Sequence, residues 1–304
     1  MNENVLEAKN LVKDETKSAR IVFTDGSEDD FLSTTTEIFE KEFCDRKDIY
    51  YVFLPDTVTK IGAGAFSGCT NLRFLEIPDS VKEIGAEAFR GCTSLENFKI
   101  PHSVEKIGEY AFAGCYELTE AMLPEKLEKV ETGLFKYCQK LKNVFIHPYV
   151  ESIGDFAFYE CCELESVYFA GDKIKSIGNS AFFGCKKLVL KELPKNLVSI
   201  DSLAFFGCNA IEHIVLPEGF ETLGNSVFGY CYSLKTVTFP AGLKKIGARV
   251  FNVSMKLSDI YYGGKKADWE KIEIAEENDF ITGLLKPGLM IPKRHYKTFF
   301  GYTK

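Results

Sequence analysis

Apolar and polar residues follow one order that returns along most of the chain. In its clearest form Leu72, Leu75 and Ile77 are apolar, then Val81 and Ile84, then Ala88, Phe89 and Cys92, with mostly polar residues between them. The order begins again at Leu95, 23 residues on. Alternation over Leu75–Ile77 predicts a short strand with one side turned inward. Pro78 ends it, because proline has no N–H to give to a ladder. Val81 and Ile84 bring apolar side chains back to the same core, and the stretch AFRGC, Ala88 to Cys92, predicts a short helical or 3-10 turn on the back of the coil. Strands of successive coils would pair in parallel about 4.8 Å apart, giving one long sheet.

The period is strict. Cys69, Cys92, Cys115, Cys138, Cys161, Cys185, Cys208 and Cys231 are 23 residues apart, except for one interval of 24 between Cys161 and Cys185. Phenylalanine keeps the same beat three residues earlier, from Phe66 and Phe89 to Phe228 and Phe251. A fixed period of this length marks a solenoid, in which each unit buries its apolar side only against its neighbours. Gly62, Gly85, Gly108, Gly154, Gly178, Gly224 and Gly247 form a third column, which predicts a turn with positive φ or a close approach of backbones. Glu131 and Asp201 replace glycine in two repeats.

These segments carry a family resemblance. IPDSVKEIGAEAFRGCTSL, IPHSVEKIGEYAFAGCYEL and LPEGFETLGNSVFGYCYSL resemble the 23-residue leucine-rich repeat of BspA-like proteins, over about Ile49 to Ile272. IYYGGKKADWEKI, Ile260 to Ile272, is similar to the degenerate last repeat often seen in that family, where Trp269 would cover the open end of the core. The resemblance implies an α/β repeat, a leucine-rich-repeat solenoid with a parallel β-sheet on one face and short helical or 3-10 turns on the other. It also implies a role in adhesion or protein binding, frequently on the surface of bacteria that live with animal hosts.

Residues 1–48 are read as an N-terminal cap, 49–272 as a solenoid of about ten coils, and 273–304 as a C-terminal cap or tail. Within the first segment, Ile21-Val22-Phe23 followed by Thr24-Asp25-Gly26 predicts a strand running into a turn. Thr34 to Phe43 predicts a short amphipathic helix with Ile38, Phe39 and Phe43 on one side. In the last segment Phe280, Ile281, Leu284, Leu285, Phe299 and Phe300 suggest that part of it docks.

A formal charge of −7 argues against a nucleic-acid partner, which needs a basic face. No apolar run approaches the roughly 18 residues of a membrane span. The polar start MNENVLEAKNLVKDETKSAR lacks the apolar core of an export signal and favours the cytoplasm and an intracellular scaffold, whereas the resemblance favours the cell surface and an adhesin; an enzyme with a site in the caps is a third reading.

Of the ten cysteines the repeat explains eight, as small thiols filling a core column, although a spacing near 5 Å between coils is within disulfide range. Cys44 is placed in an imperfect copy of that column, and off-column Cys162 is the candidate reactive thiol. No CxxC pair appears, and His102, His147, His213 and His295 have neither metal-ligand nor nucleophile–base spacing; they read as solvated surface residues. No catalytic residue, metal site or cofactor is expected.

The informative positions are those that alternation turns outward on the strand face. Phe53, Glu76, Lys99, Met122, Phe145, Tyr168, Glu192, Val215, Thr238 and Tyr261 form one column, and Tyr51, Phe74 and Leu190 stand in a second among Asn97, Glu120, Asn143, Ser166, His213 and Thr236. Met122, Phe145 and Tyr168 are consecutive and would stack into an apolar strip. Such strips mark interfaces, and they also stabilise sheets through neighbour contacts. Met122, Phe145 and Tyr168, with Phe53, Phe74 and Leu190, are therefore the candidate contact residues for a protein partner, a host extracellular protein among the candidates.

Overall fold

In the computed structural model, residues 19–30, 34–96, 98–278 and 293–296 are described. They stack as coils of a solenoid, and the leucine-rich-repeat architecture expected from the period is what they form. Two kinds of parallel strand run along it. On the front, Glu120–Met122, Asn143–Ile146 and Ser166–Phe169 pair in register, as do His213–Val215, Thr236–Phe239, Asp259–Tyr262 and Lys293–Tyr296. On one side, two-residue strands such as Ser152–Ile153, Ser176–Ile177 and Ser199–Ile200 follow one another coil by coil.

The back of each coil corrects the sequence reading, because it carries no helix. Here the backbone alternates two kinds of hydrogen bond. Ala65, Ser67 and Cys69 donate locally to the carbonyls of Gly62, Gly64 and Phe66, at 3.3, 3.0 and 3.1 Å. The intervening Gly64, Phe66 and Gly68 donate along the solenoid axis to Ala86, Ala88 and Arg90 of the next coil, at 2.8, 2.8 and 2.7 Å. A left-handed residue at every fourth position, Gly64 and Gly68 in one coil and Glu87 and Gly91 in the next, breaks the run of φ that a helix needs. AFRGC is long enough for one helical turn, but the chain forms consecutive turns whose N–H groups bind the neighbouring coil. The only helix among the described residues is one turn, Lys266–Trp269.

The recurring glycine column is explained by close approach and not by positive φ. A Cβ on Gly85 would lie 2.5 Å from the backbone nitrogen of Ala63, and one on Gly108 would lie 2.3 Å from that of Ala86.

The core follows from the fixed spacing of coils. Ten rings, from Phe43 through Phe66 and Phe158 to Phe251, stack face to face at centroid separations of 5.1–5.9 Å. The eight column thiols are free and buried. Each donates to the carbonyl of the phenylalanine one coil back: Cys92 Sγ to Phe66 O at 3.1 Å, Cys161 Sγ to Phe135 O at 3.1 Å. Ser254 continues the column and makes the same bond to Phe228 O at 2.7 Å. The column therefore selects a small donor, and volume alone does not describe it. Trp269 is buried against Phe239 and Tyr262, and Lys293–Tyr296 adds one more front strand beyond Asp259–Tyr262.

Near the N-terminus, Arg20–Phe23 forms the expected strand and pairs antiparallel with Ile49–Phe53 and with Glu28–Asp30. The helix expected over Thr34–Phe43 does not form. Glu37–Ile38 is a side strand on Lys60–Ile61, Phe39 is exposed, and Phe43 stacks on Phe66. Register places Arg46 opposite Cys69, so Cys44 is off the thiol column. The single long front sheet is also interrupted: neither residues 98–100 nor 188–193 form a front strand. The apolar tail residues Phe280, Ile281, Leu284, Leu285, Phe299 and Phe300 lie outside the described residues.

Two stability predictions follow from this packing. Phe158→Ala removes a ring held between Phe135 and Phe182 and is expected to cost about 3–5 kcal/mol in urea denaturation. Val253 is left-handed, with φ 62°, at a position where other coils have glycine; Val253→Gly is expected to raise stability by about 1 kcal/mol in the same assay.

Candidate binding face

Alternation along the front strands divides their side chains cleanly. In Asn143–Ile146, Val144 and Ile146 are buried while Asn143 and Phe145 face out. Parallel register then sets Met122 beside Phe145 and Phe145 beside Tyr168. The three are 56%, 40% and 62% exposed, and the rings of Phe145 and Tyr168 stack with centroids 5.3 Å apart. One row over, Ser166 donates to the Asn143 side-chain oxygen at 2.7 Å, a polar margin along one edge. On the other edge Tyr149 is exposed, with the Lys173 ammonium over its ring. The result is an apolar strip three coils long with a polar border.

The other three candidates are not part of it. Phe53 stands opposite Glu76, and Phe74 meets Tyr50 and Tyr51 edge-on with the Arg73 guanidinium over its face. Both are half-buried and separated from Met122 by the coil carrying Phe98 and Lys99. Leu190 is half-buried against the core in a stretch with no front strand. Tyr51, expected outward, is buried and its hydroxyl donates to Glu76 at 2.8 Å. Further along, exposed Val215 lies in register with Thr238, and Thr238 with Tyr261.

A second aromatic row lies on the turn face. The rings of Tyr159, Phe183 and Phe206 stack at 4.8 and 4.9 Å, and Tyr230 and Tyr137 extend the row at either end. The Lys136 ammonium lies 4.9–5.2 Å from three rings, those of Phe156, Tyr159 and Tyr137. The doublets Phe182-Phe183 and Phe205-Phe206 are its sequence signal: the first ring of each belongs to the core column, so the second must point away. Because the rings in the middle of the row face one another, they offer a partner mainly their edges.

His147 is not a solvated residue: it is 2% exposed, occupies the strand-ending position that Pro124 holds one coil earlier, and accepts from the Tyr149 N–H at 3.3 Å. Burial lowers its pKa and keeps it neutral. His213 is exposed beside Thr236, and His102 is exposed; the His295 side chain lies outside the described residues. Cys162 is half-buried, and burial together with the Glu160 carboxylate 3.3 Å away raises its pKa. That opposes the thiolate a reactive cysteine needs. Among the described residues no group of His, Cys, Asp and Glu could hold a metal, and no helix is long and apolar enough to cross a membrane.

Comparison with known proteins follows the same lines. The sequence matches the BspA type leucine-rich repeat region in six copies, over residues 36–165 and 151–271. Among solved structures, the pneumococcal vaccine antigen PcpA is similar at 20% identity, covering 87% of this chain and 71% of that one, with a TM-score of 0.55. A leucine-rich cell surface protein of Faecalibacterium prausnitzii is 22% identical over 85% of this chain and 96% of its own, with a TM-score of 0.48. Only the first superposes well enough to speak for the fold, and it speaks for nothing further. No curated protein matches the sequence.

The thiol column yields a pH prediction. Burial pushes Cys69 and Cys231 up to about 12, from an ordinary value of 9.0. A folded-state pKa above the unfolded one gives stability that is complete below pH 9 and is lost as pH rises toward 12. Denaturation midpoints are therefore expected to hold constant from pH 7 to 8.5 and fall steeply above 9. In a thiol-reagent titration at pH 8, the native protein is expected to expose only Cys44 and Cys162, and the denatured protein all ten.

Proposed function

Because the chain belongs to the BspA type leucine-rich repeat family, we propose that it is a non-catalytic protein-binding module that grips its partner through the front of the solenoid. The observation that carries this reading is the strip of Met122, Phe145 and Tyr168. Three large apolar side chains stand exposed in consecutive coils, where the repeat itself requires nothing apolar. Exposed contiguous apolar surface is unusual on a monomer, and aromatic and methionine side chains are enriched at interfaces. The stacked core supports the reading from beneath: a strip held on a rigid face loses little conformational freedom when a partner covers it.

The partner we assign is a protein, with extracellular proteins of an animal host first in order. The family resemblance supports that choice, and with it a place at the cell surface. Phe53, Phe74 and Leu190 are secondary contacts in this reading, outside the central strip.

The test compares wild type with a Met122→Ser, Phe145→Ser, Tyr168→Ser triple variant and with Tyr232→Ser, which alters the turn face. Each, once shown to be folded by circular dichroism, is offered to immobilised host matrix proteins. Loss of at least tenfold in affinity, about 1.4 kcal/mol, is expected for the triple variant and no change for Tyr232→Ser. Equal binding by wild type and the triple variant would move the site away from the front.

A further inference from the structure

Coil-to-coil pairing on the side of the solenoid fails at one junction. From Glu37–Ile38 to Lys106–Ile107 the side strands form one sheet, and from Lys129–Val130 to Glu273–Ile274 they form another. Across each neighbouring junction the backbone makes the same bonds: Glu105 N to Lys82 O and Gly108 N to Ile84 O before it, Glu151 N to Glu128 O and Gly154 N to Val130 O after it, all 2.7–2.8 Å. Between these, Glu128 N and Glu131 N donate to no carbonyl, and Glu105 O and Ile107 O accept from no N–H among the described residues. A cleft of about 620 Å³ opens there, lined by Glu105, Lys106, Glu109, Glu128, Lys129 and Glu131 among others. The neighbouring front strand is missing too, over residues 98–100.

The sequence supplies three causes. Glu131 stands in the glycine column, where a Cβ meets the backbone of the preceding coil. Glu128 falls opposite Glu105, and Lys129 opposite Lys106, both like-charged; the junctions before it alternate Glu37, Lys60, Glu83, Lys106. Like charges directly opposite one another destabilise a strand pair. No single cause suffices. Asp201 also carries a Cβ in the glycine column and keeps its bond to Ile177 O at 2.9 Å, and Glu151 faces Glu128 with its ladder bond intact. Only at this junction do all three coincide. What spans the cleft is an exposed ion pair, Lys126 Nζ to Glu105 Oε1 at 2.5 Å, a weak tie.

On the turn face, by contrast, the junction is whole: Tyr110, Phe112 and Gly114 donate to Thr132, Leu134 and Lys136 at 2.9, 3.1 and 2.7 Å. We propose that this breach is a bending joint, at which residues before 109 and residues after 118 move as two bodies about the unbroken turn-face ladder. The joint lies between Phe53 and Phe74 on one body and Met122, Phe145 and Tyr168 on the other. Its use rests on the front being the binding face: bending would set the angle between the two aromatic groups and let them close on one partner.

The joint is tested without any partner, by amide hydrogen exchange on the full chain. In wild type, residues 126–131 are expected to exchange at least tenfold faster than 149–154, the same positions one coil on. The double variant Lys129→Ser, Glu131→Gly copies Ser152 and Gly154 into the junction and is expected to slow exchange at 126–131 to the level of 149–154. Equal exchange in the two wild-type segments would overturn the joint, and so would faster exchange that the double variant leaves unchanged. Loss of the strip's binding activity would not alter either result, so the two readings fail separately.

Discussion

Everything in this structure depends on the hydrogen bonds that pass from coil to coil on the turn face. Every second N–H of the back segment, Phe66 N to Ala88 O for example, leaves its own coil and binds the next one. That fixes the rise, and the rise fixes the core. Phenylalanine rings separated by one coil come to rest at stacking distance, and a thiol falls within reach of a carbonyl one coil back. The cost is local: non-glycine residues such as Glu87, Tyr110 and Phe156 are held left-handed, at roughly 1–2 kcal/mol each. One more axial bond per left-handed residue, and a dry column of rings beside it, offset that strain.

A core of identical columns leaves the identity of the outward positions unspecified. Apolar residues such as Leu75, Val144, Ile146 and Val237 recur at the inward sites of the front strands, but nothing in the core columns specifies Met122, Phe145 or Tyr168. The turn-face row of Tyr159, Phe183 and Phe206 differs in exposure: its rings are half-buried, whereas Phe145 and Tyr168 stack on each other and still stand exposed. The contrast is what favours the front in our proposal: there, apolar area remains uncovered by its neighbours.

Much of this was legible in the residues. The 23-residue beat names the solenoid, the Phe and Cys columns name its core, and simple alternation brings Met122, Phe145 and Tyr168 into one row. What could not be read has physical reasons. Ala-Phe-x-Gly-Cys passes for a short helical turn when read alone, whereas the bonds that decide its conformation come from another coil. Thr34–Phe43 misleads in the same way: paired with Lys60–Ile61 it becomes one more coil, and alone it resembles a helix. His147 is buried because it stands in proline's place at a strand end, a fact visible only once the register is drawn. Phe53, Phe74 and Leu190 satisfy the outward register, yet the front sheet is interrupted on either side of the central strip, so register alone does not join them to it. The breach at Lys129–Glu131 was half-legible: the missing glycine shows in the sequence, but the like charges matter only when coils are placed side by side.

The most direct measurement of the central claim, that the front of the solenoid is its recognition surface, is site-specific photo-crosslinking. A photoreactive phenylalanine analogue would replace Phe145 in one protein and Tyr232, on the turn face, in another, each then irradiated with a matrix protein it binds. The account predicts a covalent adduct from position 145 and none from position 232. An adduct from 232 with none from 145 would contradict it and assign recognition to the turn face.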